Sequence, residues 1–516
     1  MSRNVRAAAM IMGGVPVAES PSPDDAALLA SYSRSGIGAF LLPGFLLRQP
    51  ERLAALASTA RSAGEGAGLG RVLVAIGGYK LPAYGLPPFP SSPTPLGLAS
   101  SLSKAAARRA GRLLGSTLAA CGVDMVLAPR LDLASDPKDP VGALEGFGED
   151  GRLAGALGAA FSQGLARSGV GACVGRFPGL GSVCRDPYES MPFVALPVER
   201  LERCEMRPFA RAIGSGAPAV MVGRVLVPSL EAERIPASAS SRVIEGRLRE
   251  ALGFRGIVIG DDAGSDEEPG KAAVLGALAG CDLCLYSRPE AAFIAAAALE
   301  TAVSKGELPS IRVETSRRRL SAFFERKARK RNVPPSERRL RQAMRDIEDG
   351  VSVLRGSLAF GKGPDGDFRS AFVLVFLPPR DAPDAPEAEA VLSALRAGLP
   401  GAELLGLDAD SGPGETEALA ARLSPRGRYA QAAVLSYDAH FRPAQEGLAR
   451  LIEEFVPSYR VVAMRDPYDA AFFPNAQGLG AAYGFSEAAA RAVAGLLAGS
   501  SKASGGNPVE VIGLEI

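Results

Sequence analysis

Tryptophan and histidine are nearly missing from this chain. None of the 516 residues is tryptophan, and histidine occurs once, as His440. Carbohydrate sites often stack a sugar face on an indole ring, so the lack of tryptophan disfavours a carbohydrate-binding function. The single histidine also stands far in sequence from the candidate site residues considered below.

Cysteine is sparse as well and has no regular spacing. Six cysteines in so long a chain do not make a disulfide framework. Cys281 and Cys284 form a lone C-x-x-C motif with no second pair or neighbouring histidine, which disfavours a metal site. The apolar alternation around them predicts a strand in which both thiols are small packing residues. We expect neither a metal nor a cofactor.

The chain has no large excess of charge of one sign. Its net charge is +2, so no global field attracts nucleic acid or an anionic membrane. One run is basic, because twelve Lys or Arg and only two Glu lie between Arg317 and Arg345. The only aromatic residues of this run are Phe323 and Phe324. A solvated helix and linker is therefore favoured over a nucleic-acid patch.

No apolar run approaches the length of a transmembrane helix, and we expect no membrane partner. At the N-terminus, Arg3 and Arg6 precede a short apolar stretch, and Ala18 could mimic a signal-peptide cleavage site. That stretch is weakly hydrophobic and runs directly into foldable sequence, so it is interpreted as a first strand. We expect a cytoplasmic protein, with export as the minority alternative.

Short β-type runs alternate with Ala-, Leu- and Arg-rich helical stretches over the first 300 residues or so. Eight strands separated by helical crossovers predict a (β/α)8 barrel over residues 1–312. A basic helical linker over 313–365 and a smaller doubly wound α/β domain over 366–516 are expected to follow. The eight strands are expected within AAMIMGG, GIGAFLLPG, RVLVAIGG, VDMVLAPRLDL, VGACVGRF, PAVMVGRV, GIVIGDD and CDLCLYS. An open doubly wound sheet is disfavoured, since GEGAGLG precedes a strand and is no dinucleotide fingerprint.

In such a barrel the chemistry lies at the carboxyl ends of the strands. Adjacent Asp261 and Asp262 follow GIVIG and suit a nucleophile or a metal ligand, whereas capping of the next helix is an equally weighted reading. The other strand-end candidates are Gly77, Asp132, Gly175, Arg176 and Arg224.

The glycine-rich loop CVGRFPGLGSVCRDPYES, residues 173–190, has the residue spacing of a sugar-cleaving active-site loop but contains no histidine. Here the chain resembles glycoside hydrolase family 3 and is most similar to its β-N-acetylglucosaminidase branch, over nearly the whole length. The segments that carry the resemblance are GIGAFLLPG, GVDMVLAPRLDL, FGEDGRLAGALGAAFSQGLARSGVGA, RFPGLG, LPVERLERCEMRPFARAIGSGAPAVMVGRV, LREALGFRGIVIGDD and VVAMRDPYDAAFFPNAQGLGAAYGFSEAAARAVAGLLAG.

The resemblance implies a retaining glycosidase ancestry, with a carboxylate nucleophile and a separate proton shuttle. The nucleophile position of this branch falls on Asp261. The shuttle is an Asp-x-His pair whose carboxylate falls on Asp186 and whose histidine position holds Tyr188. The predicted catalytic residues are Asp261 and Asp186, and the predicted substrate-binding residues are Arg176, Tyr188, Arg224 and Asp262.

Other polar positions of the branch are also changed. The Lys-His that opens the loop is Gly175-Arg176, which removes two donors that the resemblance assigns to the sugar. The remaining departures are Leu180 for a histidine, Ser182 for an aspartate, Gly77 for a sugar-binding carboxylate, Glu145 for an arginine and Arg224 for a histidine. The loop keeps its glycines and prolines but loses the groups that grip and protonate a sugar.

Three functions remain open. The favoured one is a family member that hydrolyses glycosides very weakly or not at all and keeps its barrel for binding or assembly. The second is an active glycosidase on an altered substrate, with an acid from Tyr188, a bound water, or a second-domain residue: Glu446, Glu453 or Glu454. The third assigns the run Arg317–Arg345 to a nucleic-acid or acidic partner.

The new arginines bear on the ligand. If Arg176 and Arg224 both point inward, the pocket suits a small anionic ligand such as an acidic sugar or a phosphate. The favoured alternative is that each pairs with a carboxylate such as Asp186 or Asp261. The expected partner is therefore a carbohydrate or a small anion, and the oligomeric state stays open.

Overall fold

The structure is a computed structural model that describes residues 6–17, 22–77, 94–136, 144–183, 191–263, 268–329, 359–360, 368–382, 384–411, 414–500, 505 and 508–509. It divides into two compact units. The first comprises 1–81, 107–142 and 150–343, and the second comprises 82–106, 143–149 and 344–516. Each unit thus combines segments that are separate in sequence, and the domain boundaries at 312 and 365 stay predictions.

Eight parallel strands of the first unit close into a barrel in chain order. This confirms the predicted (β/α)8 architecture. The ring is closed at Met12 of the first strand, which pairs with Ala39 on one side and Leu285 on the other. The strands are β1 (Ile11–Gly14), β2 (Ala39–Leu42), β3 (Leu73–Gly77), β4 (Met125–Leu127), β5 (Gly171–Phe177), β6 (Ala219–Val222), β7 (Ile257–Gly260) and β8 (Leu283–Tyr286).

Local sequence signals fix several helix starts. Asp150 caps one helix, because its carboxylate accepts hydrogen bonds from the N–H groups of Arg152 and Leu153. Others begin with proline in the first turn, where the missing N–H is no loss. The longer helices are Pro23–Arg34, Pro50–Gly66, Lys104–Ala120, Gly151–Arg167, Arg207–Gly214, Pro269–Ala279, Pro289–Ser304, Ser310–Arg329, Ala388–Gly398, Gly414–Leu423, Ala444–Phe455 and Glu487–Leu497, with π-helical turns over Leu201–Glu205 and Arg242–Ala251.

Alternate strand residues fill the barrel, as the two-residue period of a strand requires. Leu73 and Ala75 of β3 and Ile257 and Ile259 of β7 belong to this core, which Phe323 of helix Ser310–Arg329 joins. The start of the basic run is therefore a helix packed against the barrel. The rest of the predicted linker, apart from 359–360, lies outside the described residues.

The second unit contains a six-stranded sheet in the order β11-β10-β12-β13-β14-β9. Its strands are β9 (Ala359–Phe360), β10 (Phe372–Leu377), β11 (Glu403–Asp408), β12 (Ala432–Ser436), β13 (Tyr459–Ala463) and β14 (Gly478–Ala481). All pairs are parallel except β14 with β9. The predicted doubly wound α/β domain is confirmed. The runs AFVLVFLPP, QAAVLSYD and YRVVAMRDPYD predict β10, β12 and β13, whereas β9, β11 and β14 were not predicted.

Within the described ranges, no helix combines the length and apolar character that a membrane crossing requires. The cytoplasmic location stays a prediction. Cys281 and Cys284 are both buried free thiols beside and within β8, in the apolar surroundings that the sequence indicates.

Candidate functional site

The candidate site lies at the carboxyl ends of the barrel strands. The last core side chain of each of the strands β3, β5, β6 and β7 points into the barrel. Two residues further along the chain come Gly77, Gly175, Gly223 and Asp261, respectively. By the strand period all four face the barrel interior, and three of them carry no side chain. Asp261 thus stands at the mouth among glycines, where the sequence predicted it.

Arg176 reaches this aspartate because β5 contains an extra residue. Val174 pairs with Val220 and Phe177 with Val222, so three steps along β5 match two along β6. Such a bulge redirects a side chain next to a site. Arg176 Nε lies 3.1 Å from Asp261 Oδ2, and the two side chains are only 3% and 11% exposed. Arg176 and Asp261 therefore form a buried ion pair.

Two opposing effects act on Asp261. Burial raises its pKa above the usual value, and this exceeds the lowering by Arg176 and by the hydrogen bond from the Asp262 N–H. The carboxylates of Asp262 and Asp132 raise the pKa further. The negative charge of Asp261 is therefore stabilised mainly by Arg176.

The contacts of Asp262 differ from those of Asp261. Its Oδ1 accepts a hydrogen bond of 2.9 Å from the Ser287 N–H after β8, which joins two strand-end loops. The following helix begins at Pro269 with Glu268 as its N-cap residue. The capping reading of Asp261 and Asp262 is therefore wrong, because the helix starts too far along the chain.

Asp132 anchors the glycine-rich loop. Its Oδ1 accepts hydrogen bonds from the N–H groups of Arg176, at 3.3 Å, and Leu180, at 2.9 Å. Its Oδ2 pairs with Arg130 Nε at 2.7 Å, and both side chains are buried. A charged acceptor that satisfies two backbone donors holds the loop start against β4. Arg130 was missed at the sequence level, where only its strand-end neighbour Asp132 was considered.

Arg224 follows β6 and is half-buried. Burial lowers the pKa of its guanidinium, whereas Asp261 and Asp262 raise it. Arg224 therefore stands near both carboxylates at the mouth. Among the residues that the structure describes at the mouth, Arg130, Arg176 and Arg224 stand beside the carboxylates of Asp132, Asp261 and Asp262.

Besides Arg130, a carboxyl group that lies under the loop was also missed at the sequence level. Glu205 is 1% exposed. Its nearest polar contacts are Arg200 at 3.4 Å and Ser135 at 3.5 Å. Burial raises the pKa of Glu205, and Arg200 only partly offsets this. No sequence signal marks Glu205, since it lies in a helical turn and not at a strand end. Its burial keeps it from touching a substrate.

The predicted proton shuttle is not described. Asp186 and Tyr188 both lie outside the described residues, so their placement relative to Asp261 stays a prediction. The roles of Arg176, Arg224 and Asp262 in substrate binding also stay predictions. No cluster of three potential metal ligands occurs in the part of the chain that the structure describes.

His440 belongs to a buried cluster in the second unit. Its Nδ1 lies 2.9 Å from Asp469 Oδ1 and its Nε2 lies 3.7 Å from Asp466 Oδ2, with 7% of its side chain exposed. Burial lowers the pKa of His440, but the hydrogen bond with Asp469 and the nearby Asp466 raise it by more. Burial raises the pKa of Asp466 to about 7. This imidazole is held by its own unit and is not exposed for proton transfer.

Of the three candidate glutamates of the second domain, Glu446 and Glu453 have local partners, and Glu454 is exposed. Glu446 pairs with Arg450 one turn along its helix at 2.5 Å. Glu453 accepts hydrogen bonds from the Tyr459 hydroxyl and from Asn475. These contacts are those of a solvated amphipathic helix.

The chain is similar in sequence to known glycosyl hydrolases. The family model described as "Glycosyl hydrolase family 3 N terminal domain" matches residues 75–323. Proteins named beta-hexosaminidase from Xylella fastidiosa (strain 9a5c) and Bordetella pertussis are each 36% identical, over 183 and 193 residues. These matches cover 34% and 36% of this chain and 53% of each relative. The chain thus spans about half the length of the curated relatives it matches.

Solved structures extend the likeness to both units. A glycoside hydrolase family 3 beta-N-acetylglucosaminidase from Paenibacillus sp. str. FPU-7 is 27% identical, with a TM-score of 0.88 and full coverage of both chains. A beta-glucosidase from Listeria innocua, in complex with isofagomine, is 18% identical with a TM-score of 0.77. It covers 99% of this chain and 74% of its own, and this likeness shows the fold alone.

Proposed function

Since the chain belongs to glycoside hydrolase family 3, we propose that it is a member that hydrolyses glycosides very weakly or not at all. In this proposal the barrel is kept to bind a carbohydrate or a small anionic ligand, or for assembly. The observation that carries it is the buried ion pair between Asp261 and Arg176.

In this ion pair Arg176 stabilises the negative charge of Asp261. Attack on an anomeric carbon would consume that charge and leave the buried guanidinium without its partner, which is unfavourable. Burial also raises the pKa of Asp261, so weakening its contact with Arg176 favours the protonated, non-nucleophilic form. Both effects act against formation of a glycosyl-enzyme.

Leaving-group protonation is the second missing step. General acid catalysis contributes about 10²–10⁴-fold, and an ordinary phenol such as that of Tyr188 titrates near pH 10. The arginines that the structure describes at the mouth, Arg130, Arg176 and Arg224, cannot give up a proton near neutral pH. Loss of attack and loss of protonation together support the non-hydrolytic reading over an active enzyme.

The ligand is proposed from the relatives and from Arg224. Two relatives are named beta-hexosaminidase and one structure is a beta-N-acetylglucosaminidase, so an N-acetylhexosamine is the first ligand to test. Arg224 is half-buried beside two carboxylates, so part of its side chain can be reached by a ligand at the mouth.

The test compares catalysis and binding in the same protein. Hydrolysis of aryl β-N-acetylglucosaminide and β-glucoside is measured for the wild type and for Asp261→Ala, and calorimetry measures N-acetylglucosamine binding to the wild type and to Arg224→Ala. We expect equal, background hydrolysis in both proteins, with binding that Arg224→Ala weakens. Robust turnover that Asp261→Ala abolishes would instead establish the active glycosidase with a relocated acid.

A further inference from the structure

A cavity lined by arginines lies at the opposite end of the barrel from the candidate site, at the amino ends of β6 and β7. Its volume is about 390 Å³, and its walls include Pro218, Arg255, Ile257, Arg318 and Arg326. This volume falls at the lower end of the range of small-molecule sites. The proposed glycoside function makes no use of it.

Helix Ser310–Arg329 supplies one wall of this cavity. Arg318 and Arg326 are eight residues apart, so they share a face and lie about 12 Å apart along the axis. Ala322 stands between them and leaves space. Phe323 turns into the barrel core, where it is 8% exposed, and so fixes the rotation of the helix.

The loop before β7 brings a third guanidinium to the opposite wall. Arg255 is exposed, and the next residue, Gly256, has no room for a side chain because a Cβ would lie 2.3 Å from the Pro218 carbonyl oxygen. Buried Arg249 donates a hydrogen bond of 3.1 Å to the Gly256 carbonyl. The backbone that carries Arg255 is thus held in place.

These arginines are not neutralised equally. Arg319, also in the lining, pairs with fully buried Asp282 at 2.8 Å. Arg318 donates a hydrogen bond to the Thr315 hydroxyl and has a long ionic contact of 3.9 Å with Glu314, which Arg317 already holds at 2.7 Å. Among the described residues, no carboxylate forms an ion pair with Arg255 or Arg326. The cavity therefore has an excess of positive charge.

We propose that this cavity binds a small, free phosphate-bearing molecule through Arg255, Arg318 and Arg326. Guanidinium groups bind phosphate oxygens in a bidentate manner, and three of them around one concave space suit a diphosphate better than a single carboxylate. The apolar Ile257 and Pro218 add a wall for a non-phosphate portion. A long nucleic acid or a membrane surface would need an extended basic face, and here the charges surround a small cavity.

Calorimetric titration with pyrophosphate and with ADP at fixed ionic strength tests this site. We expect saturable binding that Arg255→Ala and Arg326→Ala each weaken about tenfold, the usual worth of one charged hydrogen-bonding group. Ala322→Leu keeps every arginine but reduces the cavity, so it should weaken binding as well. Arg203→Ala removes an exposed arginine that is not part of the lining and serves as the matched control.

Three results would overturn the proposal. One is the absence of saturable binding to either phosphate compound. Another is equal weakening by Arg203→Ala, which would mean that only the general charge matters. The third is binding restricted to anionic phospholipid vesicles or to an oligonucleotide, which would assign these arginines to a surface and not to a cavity. Melting temperatures of the unliganded variants, expected to be unchanged, show that each variant is folded.

Discussion

Replacing Arg176 with methionine tests the ion pair at the barrel mouth. Methionine keeps an unbranched apolar stem and removes the guanidinium. Asp261 would then be a side chain with 11% exposure that has lost its cation, while it keeps the hydrogen bond from the Asp262 N–H. The variant therefore isolates the contribution of the charge.

The magnitude follows from the burial of both partners. Removing one member of a buried pair costs about 3–5 kcal/mol, and proton uptake by the remaining carboxylate limits the loss. Arg176 lowers the pKa of Asp261, so without it that pKa rises further above the unfolded value. A raised pKa in the folded state means that stability falls as pH increases. The deficit should thus be smaller at pH 5 than at pH 8.

Urea unfolding of a double-mutant cycle measures this coupling. Arg176→Met, Asp261→Asn and the double variant should give an interaction free energy of about 2 kcal/mol or more. The exposed pair of Arg317 and Glu314, at 2.7 Å, is the matched control and should give a much smaller interaction free energy, because water screens an exposed ion pair. Additivity of the Arg176 and Asp261 variants within about 0.5 kcal/mol would refute the buried pair.

Three further outcomes are expected. Gly181→Ala should lower the free energy of unfolding by about 2 kcal/mol or more, because the new Cβ would lie 1.8 Å from the Leu133 carbonyl oxygen. Gly246→Ala adds a Cβ with no atom within 4 Å, so it should not lower the free energy of unfolding in this way. Equal effects of the two substitutions in urea unfolding would contradict the close packing of Gly181 against Leu133. The second unit should lose stability as pH rises from about 4 to about 7, since the folded state keeps the Asp466 proton to about pH 7 and the unfolded chain does not. Asp466→Asn should flatten this pH dependence of unfolding, and an unchanged slope would rule out Asp466 as its source. Tyr188→His should leave aryl N-acetylglucosaminide hydrolysis near background, whereas recovery of rapid turnover would show that the ion pair does not restrain Asp261.

The alternation of short apolar runs with helical stretches predicted the barrel well, because parallel strands buried on both faces are nearly continuous in apolar residues. It also placed Asp261, which continues the inward series of Ile257 and Ile259. The sheet of the second unit was harder to predict. β11 contains glycine and is only half-buried at the sheet edge, and β14 reads GLGA, so neither shows a strong apolar pattern.

The polar organisation of the mouth was less accessible from sequence. The direction of Arg176 depends on one extra residue in β5 relative to β6, which only strand pairing defines. Glu205 comes under the loop through tertiary packing, and His440 meets Asp469 only when the ends of β12 and β13 come together. The sequence thus identifies candidate polar groups, but only the structure shows which of them form ion pairs or hydrogen bonds with one another.

The most direct test of the restrained nucleophile uses an N-acetylglucosaminide with a dinitrophenolate leaving group, which departs without protonation. Intact-mass spectrometry then reports whether Asp261 attacks when no acid is needed. We expect an unchanged protein mass in the wild type, with Asp261→Ala as the matched control. A stoichiometric glycosyl adduct that peptide mapping assigns to Asp261 would contradict the restraint of this carboxylate by Arg176.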